Sequence, residues 1–508
     1  MGVELLTERY RSQIAGVLSC YDRIIMQGTV PGWCYASGMT DYFYEHQIRI
    51  FDYPKWAERL RDALRQNMER IATENGMEIV FVRSKKKFNQ EKYVQGVLEK
   101  RGEDPGLVCI LSALESCGSY KPWHDKKTHR TFLKPDDGKC LHYYVYFMDP
   151  DLGLCHVRVP TWCPFRLQVY CNGHGYLARQ LSRHKIAYRV LDNAFAWIAD
   201  FGRAQKLADN FTVEMVHRKL DAFADRYCPV IRKLGLSYHW SLDQVEFASD
   251  IVFARQADLQ AIYERLTRTA IHTVKPDNVA TFLGRKLNGN SQDEMGNRFN
   301  TRIEGTRLKH TMGPVSIKMY DKFRLILRIE TTVVKVSFFK HYREVEHLDG
   351  TRSLAWAKMK KSIYSLAPLR DLLRAANQRY LEFVSTLEDD RAGTEKLIKI
   401  TQAVEENDRN YRGFNFFDPD DDELLRTLGR GEFNIRGFQN KDLRQRLKDR
   451  SNTQISRTMK RLRVHGLVKK VGRTYKYYVT AIGKQVIALG LKLKELYIIP
   501  TLSAASTS

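Results

Sequence analysis

The sequence predicts a multidomain protein of mixed α/β and α+β class. An N-terminal α/β layer leads to a central antiparallel meander with long helices, and a C-terminal winged helix-turn-helix follows. Three observations carry this. Near the N-terminus apolar strand-like runs alternate with helical stretches. In the middle, short segments switch between apolar and charged residues with period two. At the C-terminus three short helical patterns run into a basic hairpin. At 508 residues, with roughly 150 residues per domain as a soft prior, about three domains are expected. The boundaries read as 1–200 for the α/β domain with a basic aromatic loop, 201–355 for helices plus the meander, 356–417 for a helical connector, and 418–508 for the winged helix.

Composition narrows the function classes. Hydrophobic residues make up 43% of the chain, ordinary for a folded protein, but 83 Lys+Arg face 59 Asp+Glu, a formal +24. A field of that sign favours polyanions. No run approaches the ~18 apolar residues of a spanning helix, and the first residues carry charges where a signal peptide needs an apolar stretch. A cytoplasmic protein with no membrane partner is expected. The nine cysteines lack any Cys-x-x-Cys pair, so reduced thiols are expected. Cys117, His124, His129, Cys140 and His142 fall in one region, but without the paired knuckle spacing of structural zinc.

In the N-terminal part, "DRIIMQGTV", "MEIVFVR" and "GLVCILSALE" read as strands, and "PKWAERLRDALRQNMERIATENG" as a helix with Pro54 in its first turn and Gly76 after its end. No Gly-x-Gly-x-x-Gly or phosphate-loop lysine follows these strands, which leaves nucleotide binding without support. "SYKPWHDKKTHRTFLK" reads as a loop mixing Tyr120, Trp123 and His124 with lysines. Aromatics among cations suit stacking on unpaired bases of single-stranded DNA or RNA. The alternative is that the rings anchor the loop to the core.

In the central part, "GPVSIKMYDKFRLILRIETTVVK" reads as a hairpin. Alternation puts Lys318 and Tyr320 on one face, with Arg328 and Glu330 beside them, while Val315, Ile317, Met319, Leu327 and Ile329 face the core. The preceding "NTRIEGTRLKH" is expected to add Arg302, Glu304 and His310 to the polar face. Two readings stay open. One is a charged surface of cross-strand pairs. The other is a strand-cleaving site in which Glu304, His310 and Glu330 hold a divalent Mg or Mn ion, Tyr320 attacks a phosphodiester, and Lys318 and Arg328 stabilise the developing charge.

In the C-terminal part, "SNTQISRTMKRLRVHG" is a helix opened by Ser451 or Asn452 and closed by Gly466. Ile455, Met459 and Leu462 form its buried stripe. Between Arg430 and Thr480, 15 Lys+Arg face 3 Asp+Glu, half the chain's excess. Clustered cations of this kind supply affinity for duplex DNA. The candidate DNA-binding residues are Asn452, Gln454, Arg457, Lys460 and Arg461 on the helix, with Arg473 and Lys476 on the hairpin. Upstream, "NDRNYRGFNFFDPDD" reads as a linker.

The C-terminal pattern is similar to the MarR-type winged-helix domain. That resemblance implies a third helix in the major groove and a wing on the flanking backbone, in a bacterial regulator of transcription. "IKMYDK" followed by "LRIE" resembles pieces of the rolling-circle replication initiators of plasmids and filamentous phages. It implies a mobile-element enzyme that nicks one strand through a tyrosine, although no His-x-His metal motif accompanies it. The whole chain also resembles a group of long bacterial MarR-labelled proteins that share "SYKPWHDK", "VKPDNVATFLGRKL" and "SIKMYDK".

Overall fold

The computed structural model describes residues 4–83, 88–274, 276–284, 299–304, 307–347, 349–388, 391–472, 474–499 and 502. The chain divides into two compact units, Met1–Glu388 and Asp389–Ser508. The division falls inside the stretch expected to be a connector. The helix Leu366–Glu388 belongs to the first unit, with Pro368 in its opening turn, and the helix Arg391–Thr401 to the second.

The first unit is organised by one eleven-stranded mixed sheet. Its strands are β1 (Ile14–Thr29), β2 (Ile79–Phe81), β3 (Gly106–Asp125), β4 (Arg130–Asp149), β5 (Gly153–Pro160) and β6 (Leu167–Asn172), then β9 (His239–Phe253), β10 (Phe299–Glu304), β11 (Arg307–Met312), β12 (Val315–Lys322) and β13 (Ile326–Val333). A separate hairpin, β7 (Tyr188–Leu191) and β8 (Ala194–Ile198), makes a small second sheet. The large sheet runs β10-β11-β12-β13-β9-β1-β6-β5-β4-β3-β2. Among the described residues, only the β2–β3 pair is parallel. The separate domains expected for 1–200 and 201–355 are therefore one body. β9 and β13 bring the meander against β1, and the main apolar core draws on residues from Leu6 to Val384.

One face of the meander is apolar, as the alternation requires. Ile317, Met319, Leu327 and Ile329 are buried there, under the helices Gln256–Thr273 and Leu366–Glu388. Asn377 of the latter accepts from Thr331 Oγ1 (2.7 Å) and donates to the Phe247 and Ile329 carbonyls, which fixes the helix on the sheet. The opposite face holds the charges. The helices Gly173–Arg183 and Phe201–Asp209 pack beside it on β1, and the β7–β8 hairpin packs on β9.

The segment expected to be a basic aromatic loop is instead a long hairpin. β3 and β4 pair in register from Glu115↔Cys140 to Asp125↔Arg130. The period-two alternation was hidden because both faces of this hairpin carry polar residues.

In the second unit the helices Pro419–Leu428, Gly431–Arg436, Asn440–Arg446 and Asn452–Val464 precede a hairpin of Val468–Lys470 and Tyr477–Val479, and the helix Ala481–Leu493 follows. Ile455, Met459 and Leu462 are buried, as the sequence pattern requires. The expected linker is ordered: it carries a short hairpin, 404–411, and Phe414 lies in the unit's core.

Candidate active site

The polar face of the meander forms an open cavity of about 570 Å³ lined by Asp22, Arg23, Asn193, Glu246, Arg307, Lys318, Tyr320, Lys322 and Glu330, among others. Register explains the assembly. Lys318 lies opposite Glu330 and Tyr320 opposite Arg328, so all four share one side. Across β13 and β9, Arg328 lies opposite Asp250 and Thr332 opposite Glu246. Between β1 and β9 the register slips: Tyr21 pairs with Phe247 and Ile24 with Val245. Asp22 and Arg23 thus oppose the single residue Glu246. This is a bulge, and it re-aims a side chain that plain alternation would bury in the core.

Tyr320 Oη donates to Glu330 Oε2 (2.6 Å), and Lys318 Nζ donates to Glu330 Oε1 (2.6 Å). The Arg307 guanidinium lies 4.8 Å over the Tyr320 ring. Burial, reinforced by Glu330, pushes the Tyr320 hydroxyl far above its ordinary range, against an opposing pull from Arg328. Burial and the neighbouring Glu330 also raise the Glu246 carboxyl. Lys322 is lowered by burial and by Arg328.

Behind this front lies a fully buried network. Arg328, 0% exposed, donates through Nε and Nη2 to Asp250 (2.6 and 2.7 Å), through Nη1 to Asp22 (3.1 Å) and through Nη2 to the Asn193 carbonyl (2.9 Å). His174 stands 3.1 Å from Arg328 Nη2. The guanidinium is committed to protein partners, so Arg328 positions Asp22; it is not a group free to meet substrate. For Asp22, burial alone would raise the carboxyl, but His174, Arg328 and Lys322 overcome it and hold the group well below the carboxylate range.

One oxygen from each of Asp22, Glu246 and Glu330 lies within 4.8 Å of the others, the one such grouping among the described residues. Hard oxygen donors suit Mg or Mn. A further observation fits a cation. Asn193 donates to both Asp22 oxygens (3.0 and 3.1 Å), while its own buried Oδ1 has no hydrogen-bond partner among the described residues.

The expected ligand set is only partly assembled. Glu330 is in the cluster, but His310 is not. β11 pairs Lys309 with Lys318 and His310 with Ile317, so His310 faces the apolar side, buried 3.2 Å from Tyr380 Oη. Burial lowers its pKa to about 4. The turn between β11 and β12 shifts the parity that even numbering suggested. The side chain of Glu304 lies outside the described residues; its backbone pairs with Arg307. Sequence reasoning missed Asp22 and Glu246. Asp22 opens an apolar run, and the bulge that redirects it has no sequence signature. Glu246 sits in "DQVEFASD", where period-two alternation of Gln244, Glu246 and Asp250 was available as a signal.

Of the stacking candidates, Tyr120 is a core anchor. It is buried, its hydroxyl donates to the Trp33 carbonyl, and its ring packs edge-on against Tyr53. Trp123, 44% exposed, lies under Lys134 Nζ at 3.8 Å. His124 is exposed and bonded to Thr131 Oγ1 (2.9 Å). Both sit near the tip of the long hairpin.

In the second unit Arg461 is withdrawn from the surface. It makes a two-pronged pair with Asp421 (2.7 and 2.8 Å), donates to the Arg412 carbonyl (2.9 Å) and stacks 3.8 Å over Phe414. The Gln454 side chain closes the helix cap by accepting from Ser451 N (2.7 Å). Asn452 accepts from Arg444 (2.6 Å), and Lys460 pairs with Glu406. Arg457 is exposed on the helix, and Lys476 is half-buried over the Tyr478 ring. Arg473 lies outside the described residues.

No family model matches the chain, and neither a curated protein nor a solved structure is similar to it.

Proposed function

We propose that the protein is a metal-dependent DNA strand-nicking or strand-transfer enzyme whose C-terminal unit, read as a MarR-like winged helix, binds duplex DNA. The observation that carries this is the Tyr320 hydroxyl hydrogen-bonded to Glu330 in a cavity that Asp22 and Glu246 also enter. A half-buried tyrosine with a raised pKa is a poor nucleophile by itself. A carboxylate that takes its proton makes it competent. In the proposed step the Tyr320 oxygen attacks a backbone phosphorus and its proton passes to Glu330. The bond from phosphorus to the leaving sugar oxygen breaks, and that oxygen takes up a proton from water in the open cavity. Lys318 and Arg307 supply positive charge beside the phosphoryl group. A divalent ion held by Asp22, Glu246 and Glu330 would neutralise phosphoryl charge and favour the tyrosinate.

The test is incubation of the purified chain with supercoiled plasmid and Mg²⁺ or Mn²⁺. Nicked DNA attached covalently to the parent, and not to Tyr320→Phe, supports the reading. A parent that never cuts supercoiled or single-stranded DNA overturns it. The second reading, a transcription regulator, rests on the net +12 between Arg430 and Thr480. Site-selective duplex binding without cleavage would favour it.

A further inference from the structure

The same sheet face holds a second cavity, of about 400 Å³, which the strand-cleaving chemistry does not use. Its lining includes Gln27, Gln168, Arg158, Trp162, Tyr35 and Arg166. Gln27 and Gln168 lie opposite one another on β1 and β6, in the row that holds Arg23 and Asn172. That row continues the polar face of Glu246. Gln27 stands five residues along β1 from Asp22, about 17 Å of strand, so a single strand leaving Tyr320 reaches it within a few nucleotides.

The polar groups of this cavity are poised rather than spent. The Gln27 amide has no hydrogen-bond partner among the described residues. Gln168 uses one nitrogen on Asp243 (3.4 Å) and leaves its carbonyl oxygen available. Two adjacent amides offer both donors and acceptors, the pattern that reads the edge of a base. The walls are fixed. Ser119 accepts from Trp162 Nε1 (2.8 Å) and holds the indole, while Glu115 holds Arg158 (2.7 Å). At the mouth Tyr35 is 70% exposed, and Arg166 is exposed with one nitrogen on the Cys34 carbonyl (3.3 Å). An exposed ring suits stacking and an exposed guanidinium suits a phosphate.

We propose that this cavity is a base-reading subsite for single-stranded DNA, taking one unpaired base of the strand cut at Tyr320 onto the Gln27 and Gln168 amides. The proposal rests on the strand-transfer reading for its choice of ligand, but its test measures binding alone. Fluorescence anisotropy of the full chain with each of the four single-stranded homopolymeric oligodeoxynucleotides gives the base preference. The parent is expected to prefer one base class by about tenfold or more. Gln27→Leu and Gln168→Leu are each expected to compress that preference to about twofold. Tyr35→Ala, at an exposed position where misfolding is not at issue, is expected to weaken binding to every oligonucleotide. A parent that cuts DNA but shows no base preference overturns the subsite alone. So does a preference that survives both glutamine substitutions in folded protein. A base preference in a chain that never cuts keeps the subsite and overturns the strand-transfer reading.

Discussion

Arg328 and Asp250 face each other across β13 and β9 as a two-pronged pair, with Nε and Nη2 of the guanidinium 2.6 and 2.7 Å from the two carboxylate oxygens. Neither side chain reaches solvent, so the pair cannot be broken by halves. Arg328→Met is expected to cost on the order of 3–5 kcal/mol, because it strands Asp22 and Asp250 as buried charges. Arg328→Lys should recover little, since one ammonium cannot serve both carboxylates and the Asn193 carbonyl. Urea unfolding of the three proteins checks both expectations; a loss below about 1 kcal/mol for Arg328→Met would refute the first.

Acid should unfold the first unit through this network. The Asp250 carboxyl is held at about 2 against an ordinary 3.8. Burial opposes the shift, and Arg328 and His174 outweigh it. Asp22 is displaced in the same direction. A depressed carboxyl stabilises the fold above its unfolded pKa, and the benefit is lost as pH falls through the folded value. The contribution of Asp250, about 2 kcal/mol, is therefore expected to vanish between about pH 4 and pH 2. In Asp250→Asn the unfolding free energy should fall less steeply over that window.

Arg457 and Arg461, one helical turn apart, should separate binding from stability. Arg461→Ala removes a buried ion pair to Asp421 and a stacking contact, so the second unit should melt at a lower temperature. Arg457→Ala leaves the fold intact and should weaken duplex affinity by about 1–3 kcal/mol if it meets a base edge, or less if it meets phosphate. Equal effects of both substitutions on melting would contradict this assignment.

Metal binding has a readout that needs no DNA. Mg²⁺ or Mn²⁺ should raise the melting temperature of the parent, because a ligand of the native state stabilises it by mass action. Glu246→Gln loses an anionic donor and should show a smaller shift. Identical shifts in the two proteins would place the ion elsewhere.

The sequence made the meander legible because period two is a local property. Lys318, Tyr320, Arg328 and Glu330 could be grouped by counting residues within two adjacent strands. His310 was misplaced by one intervening turn, since a single change of parity moves a side chain to the other face. Asp22 and Glu246 were out of reach for another reason: their partnership depends on which distant strands become neighbours and on a bulge of backbone geometry. In the second unit the stripe of Ile455, Met459 and Leu462 was readable from helical spacing. The inward turn of Arg461 was not, because its partner Asp421 lies on a different helix.

The bulged strand β1 is made first, yet its cavity is finished last. Asp22 emerges early in synthesis, but Glu246 arrives only with β9, and Tyr320 and Glu330 only with β12 and β13. β1 pairs first with β6 and then with β9, so Tyr320 and Glu330, about three hundred residues along the chain from Asp22, join a sheet already begun. A growing chain that ends before Glu330 lacks the carboxylate that holds the Tyr320 hydroxyl. If the cavity cuts DNA, a chain halted before Glu330 carries no complete cutting site, and the order of the strands is itself the safeguard.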